Sequence, residues 1–290
     1  MMPAMDENRR AYNLKGPGSP GVPLRLPGRG SFPGVDDHLV EPEVTRDEVI
    51  GGQRVVTSPA HPPHATQHGE LDYVLRAHVA PGYREAVDLL TRHDEESDFA
   101  SDACALKDGI DPTTDGRYLE EIAFEVVSEQ NERYVTEKAL RMHRRGVRRI
   151  FTIWVKNPQV CEWSPESQSW HSLDADSQIE DPCLVAPLPV AALLDAAIAD
   201  NAVAVALIAK DNPVIREREA LVRSEGEAEG EVRGTAQATL KVLEVRGIAV
   251  SESQRQETLR CHDLDQLDRW LRRAALASSI DEVLSESPGH

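Results

Sequence analysis

The segment from Ser97 to Lys156 constrains the fold more than any other, because it places acidic residues inside apolar runs. Asp102 lies within a stretch of small and apolar residues, and Glu125 lies in the middle of the apolar run 122–127. A carboxylate inside a buried strand costs free energy unless it meets a cation. The segment is typical of strand, loop, strand, helix and strand. It therefore predicts two acids on neighbouring strands and a helix that can supply the cation.

The flanking patterns predict the remaining elements of an α/β fold. Two short strands surround Gly51-Gly52, a dipeptide that tolerates the positive φ of a tight hairpin. A helix is expected around His68, with apolar residues at helical spacing, and a second over 131–145 that ends at Gly146. The order of helix, strand, strand, helix and strand predicts a mixed sheet flanked by helices.

Composition divides the chain into four predicted parts. Residues 1–35 are rich in Pro and Gly and have no hydrophobic periodicity, which predicts a disordered leader. We expect the α/β domain over 36–195, a helical connector over 196–234 and a small C-terminal helical module over 235–290. In the connector, glycines at 226, 230 and 234 line one helical face, which favours either close packing or a mobile segment.

Charge and composition exclude several classes of protein. The formal net charge of -18 argues against a protein that coats nucleic acid, although it permits a local basic patch. An aromatic content of 4% disfavours binding of single strands by base stacking. The four cysteines have no CxxC spacing, which predicts reduced thiols in the cytoplasm rather than zinc ligands or disulfides. Neither a secretory segment nor a membrane span is expected, because the most apolar window, 187–210, contains acidic residues.

The candidate catalytic residues are Asp102, Glu125 and Lys138. Two carboxylates on adjacent strands, joined by a backbone carbonyl that we assign to Val126, would bind one Mg²⁺ or Mn²⁺. Lys138, on the helix that follows, would orient or deprotonate a water and contact a phosphate. Metal and lysine together meet the needs of phosphodiester hydrolysis. In the alternative, Asp102 caps a loop and Lys138 pairs with a glutamate on an exposed helix.

Histidines and arginines near this set offer further candidates. His61, His64 and His68 have a spacing that could suit a metal, but a Pro-rich loop is a poor scaffold for ligands. The basic run that includes Arg141 and Arg145 is interpreted either as a solvated helix end or as a contact for nucleic-acid phosphates.

From about Glu48 to Leu194 the chain resembles the Uma-type putative restriction endonuclease family of the PD-(D/E)XK nuclease superfamily. The matching motifs are SDFASD, FEVVS and TEKALRMHRRGVRRIFTIWV. The resemblance implies a restriction-endonuclease-like fold in which Asp102, Glu125 and Lys138 are the catalytic aspartate, glutamate and lysine. It also implies that His68 begins a helix beside the mouth of the active site, and there we expect His68 to contact the nucleic acid.

Two functions of different classes follow. The first is a cytoplasmic, Mg²⁺-dependent DNA endonuclease of restriction type, acting as a homodimer because cleavage of a duplex needs two sites. The second is a catalytically silent nuclease-fold protein that binds nucleic acid or a protein partner. The presence of Asp102, Glu125 and Lys138 favours the first function. The acidic net charge favours the second, as does Ser101, which replaces a proline of the family motif.

Overall fold

The computed structural model describes residues 32–41, 47–56, 62–128 and 130–285. The chain divides into two compact units, Met1–Asp211 and Asn212–His290. The strands of the first unit are β1 (Asp47–Ile50), β2 (Gln53–Val56), β3 (Tyr83–Asp94), β4 (Ser97–Lys107), β5 (Ile110–Asp111), β6 (Gly116–Arg117), β7 (Glu120–Val127), β8 (Arg149–Trp154), β9 (Gln159–Ser164), β10 (Ser169–Ser172), β11 (Gln178–Ile179) and β12 (Leu188–Pro189). Its helices are α1 (Pro62–His78), α2 (Glu132–Arg145), a 3₁₀ helix (Val190–Leu193) and α3 (Ala196–Ala209).

A mixed sheet of eight strands forms the centre of the first unit. Its order is β10-β9-β8-β7-β4-β1-β2, and β3 also pairs with β4. The pair β7 and β8 is parallel, and the helix α2 makes the crossover between them, whereas the other pairs are antiparallel. Gly51 and Gly52, both with positive φ, form the tight turn between β1 and β2 that the sequence predicts.

Helices cover both faces of this sheet. On one face, α1 packs against β4 and β7 around the buried side chains of Leu71, Leu75 and Phe124, and α3 packs on α1. On the other face, Ala139 and Met142 of α2 pack against the opposite sides of the same strands. The prediction of a mixed sheet flanked by helices is confirmed.

Residues 32–41 lie against the first unit through hydrogen bonds. The Val35 carbonyl accepts from the backbone N–H of Arg92 at 2.9 Å, and the Asp37 carbonyl accepts from the Arg92 guanidinium at 2.8 Å. The fully buried Asp98 carboxylate accepts from the backbone N–H of Leu39 at 2.7 Å. Residues 1–31 of the predicted leader lie outside the described residues, and its described end, 32–35, includes the buried side chain of Val35.

The second unit is helical, as predicted for the C-terminal part. It contains α4 (Pro213–Val245), α5 (Glu252–Arg260), α6 (Leu264–Ala274) and α7 (Ile280–Leu284). Ser251 and Gln254 form the expected capping box at α5, and Asp263 caps α6. The core of this unit contains Leu267 and, unpredicted, Trp270.

The segment predicted as a connector, 196–234, is divided between the two units and is helical except at 210–212. Residues 196–209 form α3, which packs on α1 in the first unit, and the residues that follow begin the continuous helix α4 of the second. A Cβ at Gly226, Gly230 or Gly234 would meet no described atom within 4 Å, so these glycines do not mark a close contact there. Among the described helices, none combines the length and the apolar character needed to span a bilayer.

Candidate active site

The site lies at a break in the pairing of β4. One edge of β4 pairs with β3 along most of its length, so β7 and β1 share the other edge. On that shared edge β7 pairs with Ala103 to Leu106, and β1 pairs at Asp98. Residues 99–102 have no strand partner there among the described residues. We call this stretch the ladder gap.

Charged side chains occupy the ladder gap in place of a strand. The Glu48 carboxylate accepts from the backbone N–H of Ala100 at 3.0 Å, and the Lys138 ammonium donates to the Ala100 carbonyl at 2.7 Å. Across the gap, the Asp102 carboxylate accepts from the backbone N–H of Val126 on β7. Buried backbone groups require such partners. The positions of Glu48, Lys138 and Asp102 are therefore fixed by the backbone itself.

Lys138 and Glu125 form a buried ion pair between α2 and β7. Lys138 Nζ lies 2.7 Å from Glu125 Oε2 and 3.8 Å from Glu48 Oε1, and it lies 5.1 Å from the centre of the Phe99 ring. Only 4% of the Lys138 side chain and 2% of the Glu125 side chain are exposed. The alternative of a solvated lysine on an exposed helix is therefore wrong, since α2 turns Lys138 toward the sheet.

Burial dominates the electrostatics of this cluster. It raises the pKa of Glu125 to about 8, against the effect of Lys138 and with the added effect of the Asp102 charge. Burial also raises the pKa of Asp102, which Lys138 and the Val126 N–H oppose. For Lys138, burial lowers the pKa, but Glu125, Glu48 and Asp102 outweigh it and hold the pKa above its usual range. Lys138 thus stays protonated at neutral pH, and its one positive charge is shared by three carboxyl groups.

Asp102 and Glu125 would be the next cross-strand pair after Ala103 and Phe124, where the ladder between β4 and β7 ends. One oxygen of each carboxyl group is used, Asp102 Oδ2 by Val126 and Glu125 Oε2 by Lys138. Glu125 Oε1 is buried and has no hydrogen-bond partner among the described residues. In a strand, the N–H and C=O of one residue point to the same edge. The Val126 carbonyl is therefore directed toward β4 as well.

A second group of side chains adjoins Asp102 on the side of α1. His68 Nε2 lies 4.0 Å from Asp102 Oδ1 and 3.4 Å from Asp88 Oδ1. The proximity of Asp88 raises the pKa of His68, partly offset by burial, and in return His68 lowers the pKa of Asp88. Within the described residues, His68, Asp88 and Asp102 are the one group of three or more histidine, cysteine or acidic residues whose ligand atoms lie within 4.8 Å of one another.

Sequence reasoning missed Glu48 and Asp88. Glu48 belongs to the first strand of the hairpin around Gly51-Gly52, and an acid beside buried Val49 is the same signal that identifies Glu125. Asp88 lies in the middle of β3. Nothing in its sequence context indicates its positive φ of 50° or its distance from His68.

The predicted histidine cluster is only partly described. His61 lies outside the described residues. His64 and His68 lie one turn apart on α1, with ring centroids 6.1 Å apart. The expectation that His64 lies in a loop is wrong, because Pro62 and Pro63 occupy the first turn of a helix, where proline is tolerated, whereas His68 lies in a helix as predicted.

The two arginines predicted to contact nucleic acid bind within the chain. Arg141 pairs with Asp94 at 2.6 Å and with Glu137 at 2.7 Å. Arg145 donates to the Pro33 carbonyl at 2.8 Å and packs on a phenylalanine ring. A phosphate would have to replace these partners, and the contact stays a prediction.

Comparison with known proteins gives a distant likeness to solved structures. No family model matches the chain, and no curated protein matches it significantly. The chain is similar to a crystal structure described as a putative nuclease belonging to DUF820 from Anabaena variabilis ATCC 29413. The TM-score is 0.43 and the identity 16%, over 51% of this chain and 89% of that chain. Membership of the Uma-type family therefore stays a prediction, and the function is argued from the site itself.

Proposed function

We propose that this chain is a metal-dependent endonuclease of restriction type that hydrolyses phosphodiester bonds of DNA in the cytoplasm, with Asp102, Glu125 and Lys138 as its catalytic residues. The observation that carries the proposal is the meeting of these three side chains at the ladder gap. A sheet loses backbone hydrogen bonds at such a gap; Glu48, Lys138 and Asp102 replace them, and Glu125 joins the cluster through Lys138. Polar and ionised groups arranged in this way are typical of functional sites.

The donor set fits a hard divalent cation such as Mg²⁺, or Mn²⁺. Asp102 Oδ1, the unpartnered Glu125 Oε1 and the Val126 carbonyl are the oxygens that would hold it, and Mg²⁺ prefers carboxylate and carbonyl oxygens with several waters. The raised pKa values of both acids result first from burial, which disfavours their charged forms, and a bound cation would stabilise those charged forms. A bound cation would supply an activated water and neutralise phosphate charge.

Lys138 has an electrostatic role in this proposal. Its pKa above the usual range keeps the ammonium charged, which argues against the earlier expectation that it accepts a proton from water. Hydrogen bonds to Ala100 and Glu125 hold the ammonium in place. A charge fixed in this way stabilises a developing anion without reorganising during the reaction.

The test is cleavage of supercoiled and linear DNA with Mg²⁺, with Mn²⁺ and with EDTA. We expect metal-dependent cleavage that falls by on the order of 10²-fold or more in Glu125→Gln and in Asp102→Asn. Glu121→Gln is the matched control, because Glu121 lies on the same strand but pairs with Arg148 and Lys107 away from the ladder gap.

Two results would contradict the proposal. Cleavage in the presence of EDTA would show that the reaction needs no metal. Equal cleavage rates in Glu125→Gln and Glu121→Gln would show that Glu125 is not a catalytic residue. DNA binding without cleavage by the wild type would favour the catalytically silent alternative. The molar mass in solution tests the proposed homodimer, and an RNA substrate in parallel tests the choice of DNA.

A further inference from the structure

The group formed by His68, Asp88 and Asp102 is not needed to explain the proposed nuclease site. Asp102 Oδ2 is bound to Val126, whereas Asp102 Oδ1 faces His68. The three residues come from α1, β3 and β4, so elements distant in sequence converge on one point.

The distances in this group suit a shared ion better than direct hydrogen bonds. His68 Nε2 is buried and has no hydrogen-bond partner among the described residues, although it lies 3.4 Å from Asp88 Oδ1 and 4.0 Å from Asp102 Oδ1. An N–H···O bond usually spans about 2.7–3.2 Å. Two ligands that are each about 2.1 Å from one ion are separated by about 3.0 Å when adjacent in an octahedron and about 4.2 Å when opposite. Both observed distances fall between these limits.

The backbone at Asp88 supports a functional interpretation. The pairing of β3 with β4 runs through Val87 with Ala103 and Leu89 with Ser101, but it omits Asp88 with Asp102, which the same register would pair. Asp88 has a φ of 50°, an uncommon conformation for a residue other than glycine in a strand. Strained backbone of this kind concentrates at functional sites.

We propose that His68, Asp88 and Asp102 bind a divalent transition-metal ion, for which Mn²⁺ is the probe, next to the Mg²⁺ site proposed above. An imidazole ligand favours transition metals over Mg²⁺, and carboxylates suit Mn²⁺. The Asp88 side chain is 75% exposed, which leaves a path for the ion and room for water ligands. Asp102 is common to both sites. The link to catalysis rests on the proposed nuclease function, but binding of the ion does not.

The experiment measures Mn²⁺ binding directly on the full-length chain after removal of metal with EDTA. Electron paramagnetic resonance of free Mn²⁺ gives the number of bound ions and their affinities. In Asp88→Asn and in His68→Gln we expect the affinity for one ion to fall by on the order of 10²-fold, since even partners outside the ligand shell contribute 10- to 100-fold. Asparagine tolerates positive φ as aspartate does, so Asp88→Asn leaves the backbone unstrained by the change.

Matched controls separate loss of a ligand from loss of charge or of folding. His64→Gln removes the neighbouring imidazole of the same helix, and Asp108→Asn removes an exposed acid at the end of β4. Both should bind Mn²⁺ as the wild type does. The competing Mg²⁺ concentration that displaces this Mn²⁺ should be lower in His68→Gln than in the wild type.

Unchanged number and affinity of bound Mn²⁺ ions in both Asp88→Asn and His68→Gln would overturn the inference. If Glu125→Gln abolished cleavage while both Asp88→Asn and His68→Gln left Mn²⁺ binding unchanged, the nuclease proposal would hold and the proposed Mn²⁺ site would be refuted. Loss of one Mn²⁺ ion in Asp88→Asn, with no DNA cleavage by the wild type, would support the site and refute the nuclease.

Discussion

The buried carboxyl group of Glu125 predicts a specific dependence of stability on pH. Its pKa is about 8 in the folded protein against 4.5 in the absence of perturbation. Because the folded-state value is the higher one, the protonated group contributes stability that is complete below pH 4.5 and is lost as the pH rises through 8. Each pH unit inside this window changes the free energy of unfolding by about 1.4 kcal/mol. Between pH 5 and pH 7.5, the loss for the metal-free protein is about 3 kcal/mol.

The variant Glu125→Gln should remove this dependence. Glutamine has the shape of the protonated carboxyl group and does not titrate. Relative to the wild type, the variant should therefore gain about 3 kcal/mol in free energy of unfolding when the pH rises from 5 to 7.5. Urea unfolding of both proteins in EDTA at the two pH values measures this gain. A Trp270→Phe background confines the tryptophan fluorescence to the first unit, which holds the other three tryptophans.

The control is again Glu121→Gln, which should not reproduce the shift because its carboxylate is partly exposed and paired at the surface. A constant difference between Glu125→Gln and wild type at the two pH values would refute the reasoning. It would mean that the Glu125 carboxylate is ionised throughout this range, with Lys138 outweighing burial.

Three further predictions concern stability and the division of the chain. Lys138→Met should destabilise the first unit by about 3–5 kcal/mol at pH 9, where the Glu125 carboxyl group is ionised, and adding Glu125→Leu should recover most of that loss in a urea double-mutant cycle; a double variant less stable than either single one would contradict this. Asp98→Ala should cost about 3 kcal/mol, because its carboxylate accepts hydrogen bonds from Leu39 and His38, and a loss below 0.5 kcal/mol by urea unfolding would show that residues 32–41 are not held through it. A chain that ends at Asp211 should bind the same number of Mn²⁺ ions as the full chain, and loss of binding would show that the second unit contributes to the site.

The sequence predicts the elements well where apolar periodicity and caps coincide. The hairpin at Gly51-Gly52, the helix that ends at Gly146 and the capping box at Ser251 are all found. The start of α1 was predicted too late, because two prolines suggested a loop although both fit the first helical turn. Glycines within α4 similarly suggested a connector, but their unfavourable propensity does not break the helix.

The candidate site was predicted in its centre and missed at its edges. Glu125 and Lys138 are detectable because a charge within an apolar run needs a partner, and the helix after the strand offers one. Glu48 and Asp88 depend on tertiary geometry. Glu48 reaches Ala100 only because β1 leaves β4 after one paired residue, and Asp88 approaches His68 only because its φ is positive. No local pattern in the sequence encodes either event.

Stability alone does not account for the ladder gap. Replacing a buried ion pair by apolar residues of similar volume is often neutral or stabilising, so the Lys138 and Glu125 pair is not required for folding. Continued pairing between β4 and β7 would satisfy Ala100 and Val126 without any charged side chain. The fold instead opens the ladder, buries three carboxyl groups around one ammonium and leaves Glu125 Oε1 without a partner among the described residues. Each of these features costs folding free energy, and a cation in the gap would offset the cost of burying the carboxyl groups. This difference in free energy between the empty and the cation-bound gap is the physical reason to expect a catalytic metal site at this point of the sheet.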